Sequence, residues 1–323
     1  MGKFRVVLES NIKNWYEESS KNKCFTIFSD PDFLSNFTEE KIYGYILKGN
    51  EKIAYFSFTL KNRKCYRPVF VIHNGVILSN RIFFQKQVRR NLDEYEIHNT
   101  FVDYLETNFK SIDLALHPFI KDIRPYLWLN YHSPNERDKC KIYIRYTSYL
   151  NISDLQNKNE FESKVFHNLL ELRKRNIKEA RKSKVKTKTE LKLETFLNFY
   201  KNMMKNQGIT VSDGELTLLE NIIKTLVEKG KAKMFISYYK EIPIYITIWG
   251  WDRNRAYYLY GAGNQDIKLR FKGTINFWDA ILYLAKVKKI KIIDWEGVNS
   301  PKRGFFKISF GGNLLNYYWI KKG

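Results

Sequence analysis

Residues 257–263 read Tyr-Tyr-Leu-Tyr-Gly-Ala-Gly, residues 270–274 read Arg-Phe-Lys-Gly-Thr, and residues 292–297 read Ile-Ile-Asp-Trp-Glu-Gly. The first stretch is a strand that runs into Gly261, Ala262 and Gly263, and glycine within a strand marks a bulge or a place where a ligand nears the backbone. Main-chain donors are then left for that ligand. The second stretch precedes a helix expected to open near Thr274. The unpaired amides and dipole of that helix end, with Arg270, Lys272 and Gly273 beside it, form a place for a diphosphate. A capped helix with two solvated cations is the plainer alternative. The third stretch closes an apolar strand with Asp294 and Glu296, which period-two alternation puts on one side. Carboxylates at the end of a buried strand are desolvated, which raises their pKa toward a value useful to a general base. For Asp294, pairing with one of the many lysines is an equal alternative.

Around these stretches the second half reads as one long amphipathic helix from about Glu160 to Lys184 with a very basic exposed face, a strand Val185–Leu191, and helices Glu194–Lys205 and Glu215–Lys229. Strands Lys233–Tyr239, Ile242–Trp249 and Ala256–Ala262 follow, then a helix Thr274–Val287, a strand Ile290–Trp295, a short helix Arg303–Ser309 and a strand Leu314–Ile320. The first half carries a meander of Lys41–Leu47, Lys52–Leu60 and Cys65–Ile72, a helix from about Phe84 to Phe109 and a strand Ile112–Leu116. Both halves thus show a meander, a helix and further strands. The expected fold class is α/β with mixed, mostly antiparallel sheets, each with one crossover helix, in a tandem of two domains, 1–150 and 151–323.

A length of 323 residues suits two such domains, and 44% hydrophobic residues exclude a disordered chain. No apolar run approaches a membrane span, and Glu9 interrupts any signal-peptide core, so a cytoplasmic location is expected. Cys24, Cys65 and Cys140 are far apart, and the histidines form no ligand pair, so neither structural disulfides nor a metal is indicated. A formal charge of +22 invites a polyanion, yet Lys, Asn, Ile, Tyr and Phe are abundant together, as AT-rich codon usage would produce, and nucleic acid is not the expected partner.

Asp294-Trp295-Glu296-Gly297-Val298-Asn299-Ser300-Pro301, followed by Gly304-Phe305-Phe306-Lys307-Ile308-Ser309-Phe310-Gly311-Gly312, resembles the ending of the BioF2-like acyltransferase family. That family belongs to the GNAT superfamily of N-acetyltransferases and is related to the Fem peptidyltransferases. Leu172-Arg173-Lys174-Arg175-Asn176-Ile177-Lys178-Glu179-Ala180 is similar to its basic segment, and Asp122-Ile123-Arg124-Pro125-Tyr126-Leu127-Trp128 to its mid-chain segment. The resemblance implies two GNAT folds in tandem, an acyl donor, coenzyme A thioester, held by the C-terminal copy, and an acceptor gripped between the two. Arg270, Gly273 and Thr274 match the first part of the family's diphosphate turn, with Ile275 where a small residue is usual. No tyrosine lies between Asn299 and Phe310 to act as an acid, and a thiolate, with a thiol pKa near ~8.5, departs without much help.

The chemistry this implies is acyl transfer to an amine. Glu296 first, and Asp294 second, would take the amine's proton, and the amides of Gly261, Ala262 and Gly263 would hold the oxyanion. A nucleotide-linked amino sugar, dTDP-linked and destined for surface polysaccharide such as lipopolysaccharide, suits a chain with surplus cations and aromatic loops. His117, Arg124, Trp128, Tyr131 and Tyr260 are the candidate acceptor residues. For Trp128 and Tyr126, hydrophobic core is the competing reading. The alternative function is a Fem-type transferase using aminoacyl-tRNA on a cell-wall precursor, for which the cations from Arg173 to Lys192 would meet phosphates. A non-catalytic RNA-binding protein would need a motif that is absent here.

Overall fold

The computed structural model describes residues 3–323. They form two compact units: the chain up to Tyr146 together with Leu315–Gly323, and Thr147–Leu314. In order, the first unit holds β1 (Phe4–Leu8), α1 (Ile12–Ser19), α2 (Pro31–Leu34), β2 (Glu40–Lys48), β3 (Glu51–Lys61), β4 (Lys64–Tyr66), β5 (Gly75–Leu78), α3 (Gln87–Asn108), β6 (Ser111–Ala115) and α4 (Arg124–Trp128). The chain leaves it along β7 (Lys141–Asn151). The second unit holds α5 (Lys164–His167), α6 (Glu171–Lys182), β8 (Lys186–Lys188), α7 (Leu193–Lys205), α8 (Asp213–Glu228), β9 (Ala232–Tyr239), β10 (Ile242–Trp251), β11 (Ala256–Gly263), α9 (Lys272–Lys286), β12 (Ile292–Asp294) and α10 (Pro301–Ile308), and β13 (Asn313–Lys322) returns the chain to the first.

In the first unit β1, β2 and β3 are antiparallel neighbours, and β3 pairs with β5 along one half and β4 along the other. β4 lies parallel to β6, which pairs antiparallel with β13. In the second unit β8, β9, β10 and β11 run antiparallel, and β11 is parallel to β12, which pairs antiparallel with β7. Each unit therefore has one parallel pair, and the long helices α3 and α9 lie on the connections that a parallel pair requires. This is the mixed, mostly antiparallel α/β architecture expected.

The core of the second unit forms where α9 lies on its sheet: Ile275, Phe277, Trp278, Ile281 and Leu284 pack with Trp249, Trp295 and Phe310, all buried. Asn276 is a polar residue on that buried face. Its amide donates to the carbonyls of Phe235 (3.1 Å) and Tyr245 (3.1 Å) and to Ser237 Oγ (3.0 Å), while its Oδ1 accepts from Thr247 Oγ1 (2.6 Å). A fully bonded buried amide fixes the helix in one register on β9 and β10.

Several boundaries depart from the sequence-based expectation. The long helix over Glu160–Lys184 is three pieces: a 3-10 turn Glu160–Glu162, then α5, then α6. Ser163 causes the first break, because its hydroxyl accepts from Phe166 N at 3.1 Å and so starts a new helix. The expected strand Cys65–Ile72 ends at Tyr66, ahead of Pro68. β1, α1, β5 and β7 were not expected. The strand expected over Ile290–Trp295 keeps only Ile292–Asp294.

Asn276→Ala strips four bonded groups of their partner while filling nothing, and is expected to cost about 3 kcal/mol, read as a lower urea midpoint. Leu92→Ala on the exposed side of α3 is expected to change stability by less than about 0.5 kcal/mol.

Candidate active site

β10 and β11 pair Ile248 with Tyr260 and Trp249 with Tyr258, so Leu259 is the extra residue of a bulge. The bulge was expected at the glycines, which instead sit in regular register, Gly261 opposite Thr247 and Gly263 opposite Tyr245. They are glycines for a different reason. A Cβ on Gly261 would lie 2.4 Å from the Tyr258 hydroxyl, and one on Gly263 would lie 2.8 Å from the Tyr245 ring. On its other side β11 meets β12 only at Ala256 and Tyr257, so from Tyr258 to Gly263 no described strand continues the ladder there. The pairing of the two parallel strands ends with β12, and among the described residues the main chain of β11 beyond Tyr257 has no strand partner on that side.

The opening of α9 is more enclosed than its sequence suggests. Thr274 is fully buried, and its hydroxyl accepts from the Arg173 guanidinium at 3.0 Å and from Asn176 Nδ2 at 3.3 Å. Arg173, buried itself, also donates to Ser309 Oγ at 2.7 Å and lies over the Phe306 ring. The Lys272 ammonium donates to the carbonyls of Asn264 (2.5 Å) and Ile267 (2.7 Å), closing the loop that precedes the helix. Gly273 leaves room for the same Tyr245 ring that covers Gly263. Arg270 stays exposed, without an ion pair among the described residues. Of the residues picked for a diphosphate, Arg270 alone presents an open charge.

The end of β12 gathers the most strongly perturbed groups of this unit. Asp294, wholly buried, accepts from Thr147 Oγ1 (2.5 Å) and from the backbone N–H of Glu296 (2.8 Å). The second bond turns the chain. Glu296 takes a left-handed conformation, φ 49°, rare for a residue with a side chain and kept only where surrounding structure enforces it. Alternation along one strand face therefore does not describe the pair, because the strand has ended and Asp294 acts on the backbone of Glu296. Lys307, on α10, donates to the carbonyls of Trp295 (2.7 Å) and Gly297 (3.2 Å), one on each side of Glu296, and stands over the Tyr258 ring. Glu296 Oε1 is buried with no hydrogen-bond partner.

Desolvation holds the Glu296 carboxyl well above its ordinary value, against the lowering effect of the Lys307 charge, with Asp294 adding to the rise. Burial pulls Lys307 down to about 8, opposed by Glu296 and Asp294. Burial, and then neighbouring charges that include Glu296, push Tyr258 and Tyr260 far above the ordinary phenol range. Tyr200 on α7 contributes to the same field. A carboxyl raised and an ammonium lowered in this way fit proton transfer. Sequence reasoning missed Lys307, Tyr258 and Arg173 as site residues. Lys307 carried a signal, being a lysine within the apolar run Phe305–Phe310.

The remaining candidates lie in the first unit. His117 is buried, its Nδ1 accepts from Phe119 N at 3.1 Å, and its ring meets those of His73 and Phe119. The fork of Arg124 is spent on Asp122, at 2.9 and 2.6 Å, and its guanidinium caps Tyr95 and Trp128. Tyr126 is core, fully buried with its hydroxyl on His98 Nδ1 at 3.0 Å. Trp128 is not core. It is 52% exposed, and with Asn130, Tyr131, His132 and Ser133 it lines an open cavity of about 720 Å³. Among the described residues no three His, Cys, Asp or Glu side chains gather as a metal site, and no helix is long and apolar enough to cross a membrane.

The raised Glu296 carboxyl has a consequence for stability. Between its ordinary 4.5 and its raised folded-state value, the folded chain binds a proton that the unfolded chain has released, so stability falls as pH rises through that window. Glu296→Gln is expected to raise the urea midpoint at pH above 7 and to lose that gain as pH drops below about 4.

No family model matches the chain, and no curated protein matches it. Solved structures do. FemX matches with a TM-score of 0.66 at 12% identity, covering 97% of this chain and 96% of that one. A conserved protein of unknown function from Bacteroides thetaiotaomicron matches with 0.57 at 10% identity over 100% of both chains. A tandem GNAT protein from the clavulanic acid biosynthesis pathway matches with 0.51 at 8% identity over 99% of this chain and 98% of that one. At such identities the likeness is one of fold, and it extends over both units. With a long helix on the connection of each parallel strand pair in a mostly antiparallel sheet, the chain has a tandem GNAT-like fold.

Proposed function

We propose that this protein is a BioF2-like N-acyltransferase that moves an acyl group from acyl-CoA to the amine of an amino sugar carried on a nucleotide such as dTDP. The observation that carries the reading is the Glu296 carboxyl: buried, with Oε1 unpartnered, and set by a left-handed turn at the end of β12, the parallel neighbour of β11. A base in that position takes the proton that an attacking amine must lose as its nitrogen forms the new bond to the carbonyl carbon. The carbonyl becomes an oxyanion, for which the N–H groups of Gly261 and Gly263, turned away from β10, are donors. Collapse of the adduct breaks the carbon–sulfur bond and releases thiolate. Asp294 acts as a positioning group, since its Oδ1 holds the Glu296 backbone. Arg270 is the cation best exposed to a donor's diphosphate. Within the first unit Trp128 and Tyr131 are open to a ligand and Arg124, bonded to Asp122, caps the Trp128 ring, whereas His117 is buried.

One observation favours a second reading. The first turn of α9 is covered by Arg173, Asn176 and the Lys272 loop, which suits a donor that does not seat a diphosphate there, as in Fem-type transfer from aminoacyl-tRNA.

Thiol release from acyl-CoA with a panel of nucleotide-linked amino sugars tests the first reading. Turnover is expected with at least one sugar, and Glu296→Gln is expected to lower kcat by about 10²–10⁴-fold. Absence of thiol release with every sugar, together with transfer from aminoacyl-tRNA, selects the second. In either case the pH profile of kcat/KM is expected to rise as the Glu296 carboxyl ionises and to fall above about 8, where Lys307 loses its proton, and Lys307→Arg is expected to remove the fall.

A further inference from the structure

The exposed side of α6 carries an excess of cations over its two exposed acids, Glu171 and Glu179. Arg173, Asn176, Ile177 and Ala180 turn inward, and Arg181 is drawn in by Glu160 (2.9 Å) and Asp279 (2.5 Å). That rotation leaves Arg175, Lys178 and Lys182, spaced by three and four residues, along one outward face. Lys184 and Lys186 continue the stripe beyond the helix. Lys174 is tied to Glu171, but none of these other cations has an ion pair among the described residues. The charge excess noted in the composition is thus partly concentrated on one surface.

The same surface begins with apolar side chains. Leu170 and Leu172 are exposed at the start of α6, and the Leu170 N–H bonds to the carbonyl of Ser309 at 3.0 Å, which sets the end of α10 beside them. There α10 turns Phe305, 61% exposed, and Ile308 to solvent, with Lys302 and Arg303 also exposed on the same helix. Four apolar side chains bordered by unpaired cations form an interfacial pattern: apolar groups that enter the headgroup boundary and cations that meet acidic headgroups.

We propose that the α6–α10 surface docks the protein on the face of a bilayer that carries acidic phospholipid. RNA would use the cations equally well, but it gives no reward for exposing Leu170, Leu172 and Ile308, which are not stacking platforms. The docking is peripheral and rests on the acyl-CoA reading, because transfer from aminoacyl-tRNA would engage the same cations with phosphates.

Co-sedimentation of the full chain with vesicles tests this, comparing phosphatidylcholine alone with phosphatidylcholine mixed with phosphatidylglycerol. Binding is expected only to the mixed vesicles and is expected to weaken with salt. The triple variant Arg175→Gln, Lys178→Gln, Lys182→Gln is expected to lose binding by roughly a hundred-fold, about five-fold for each cation. Phe305→Ser with Ile308→Ser is expected to lose binding about ten-fold or more while leaving the salt dependence in place. All these side chains are exposed, so unchanged melting curves are expected for both variants. Absence of sedimentation with mixed vesicles overturns the proposal. So does sedimentation that the apolar pair does not affect, and retention of RNA with no vesicle binding assigns the stripe to a polyanion instead.

Discussion

The ammonium of Lys307 bonds the carbonyls before and after Glu296, and much of the second unit is arranged around that clasp. A left-handed residue with a long side chain persists only when bonds on both flanks hold it. Here Lys307 holds the carbonyls and Asp294 holds the amide, while Thr147 fixes Asp294. The indole of Trp295 donates to the Gly311 carbonyl at 3.2 Å and joins the turn to the segment after α10. Gly304 has the same dependence, since a Cβ there would lie 2.4 Å from the Val298 carbonyl oxygen. The helix that delivers Lys307 can approach the turn only because that position lacks a side chain.

Burying an acid, a cation and several phenols together is costly, and the fold offsets it with partners bonded around them. Asn276 anchors α9 to β9 and β10, and Arg181 joins α6 to α9 through Asp279 and to the preceding turn through Glu160. The Trp278 indole donates to the same Glu160 at 2.6 Å. These polar ties fix which way α6 faces, and so also which of its cations are left to solvent.

The alternating and periodic segments were legible before any coordinates. β9, β10, β11 and α9 have apolar runs of clear period bounded by turns, and they fall within a few residues of expectation. β7 did not, because its first residues are mostly solvent-facing and their pattern does not declare a buried side. Glu296 drew attention as a carboxylate ending an apolar strand, and its burial agrees with that, but its backbone turn depends on a bond from Asp294 that spacing alone does not specify. The glycines of β11 were noticed for their rarity in strands. What they accommodate, the rings of Tyr245 and Tyr258, is set by the neighbouring strand and the bulge and lies outside any local pattern. Lys272 and Thr274 looked like an anion cradle in one dimension, and it took the distant Arg173 to show how they are spent within the fold.

Because Leu315–Gly323 belong with the residues up to Tyr146, the whole of Thr147–Leu314 is an insertion in the first unit. On a ribosome, the first unit lacks the β13 partner of β6 until the whole of Thr147–Leu314 has emerged. The insert has no such wait and can acquire its structure as soon as its own strands are made. Severing the chain at the start of the insert would leave β6 without β13 on one fragment and β13 without β6 on the other, each an unmatched strand edge.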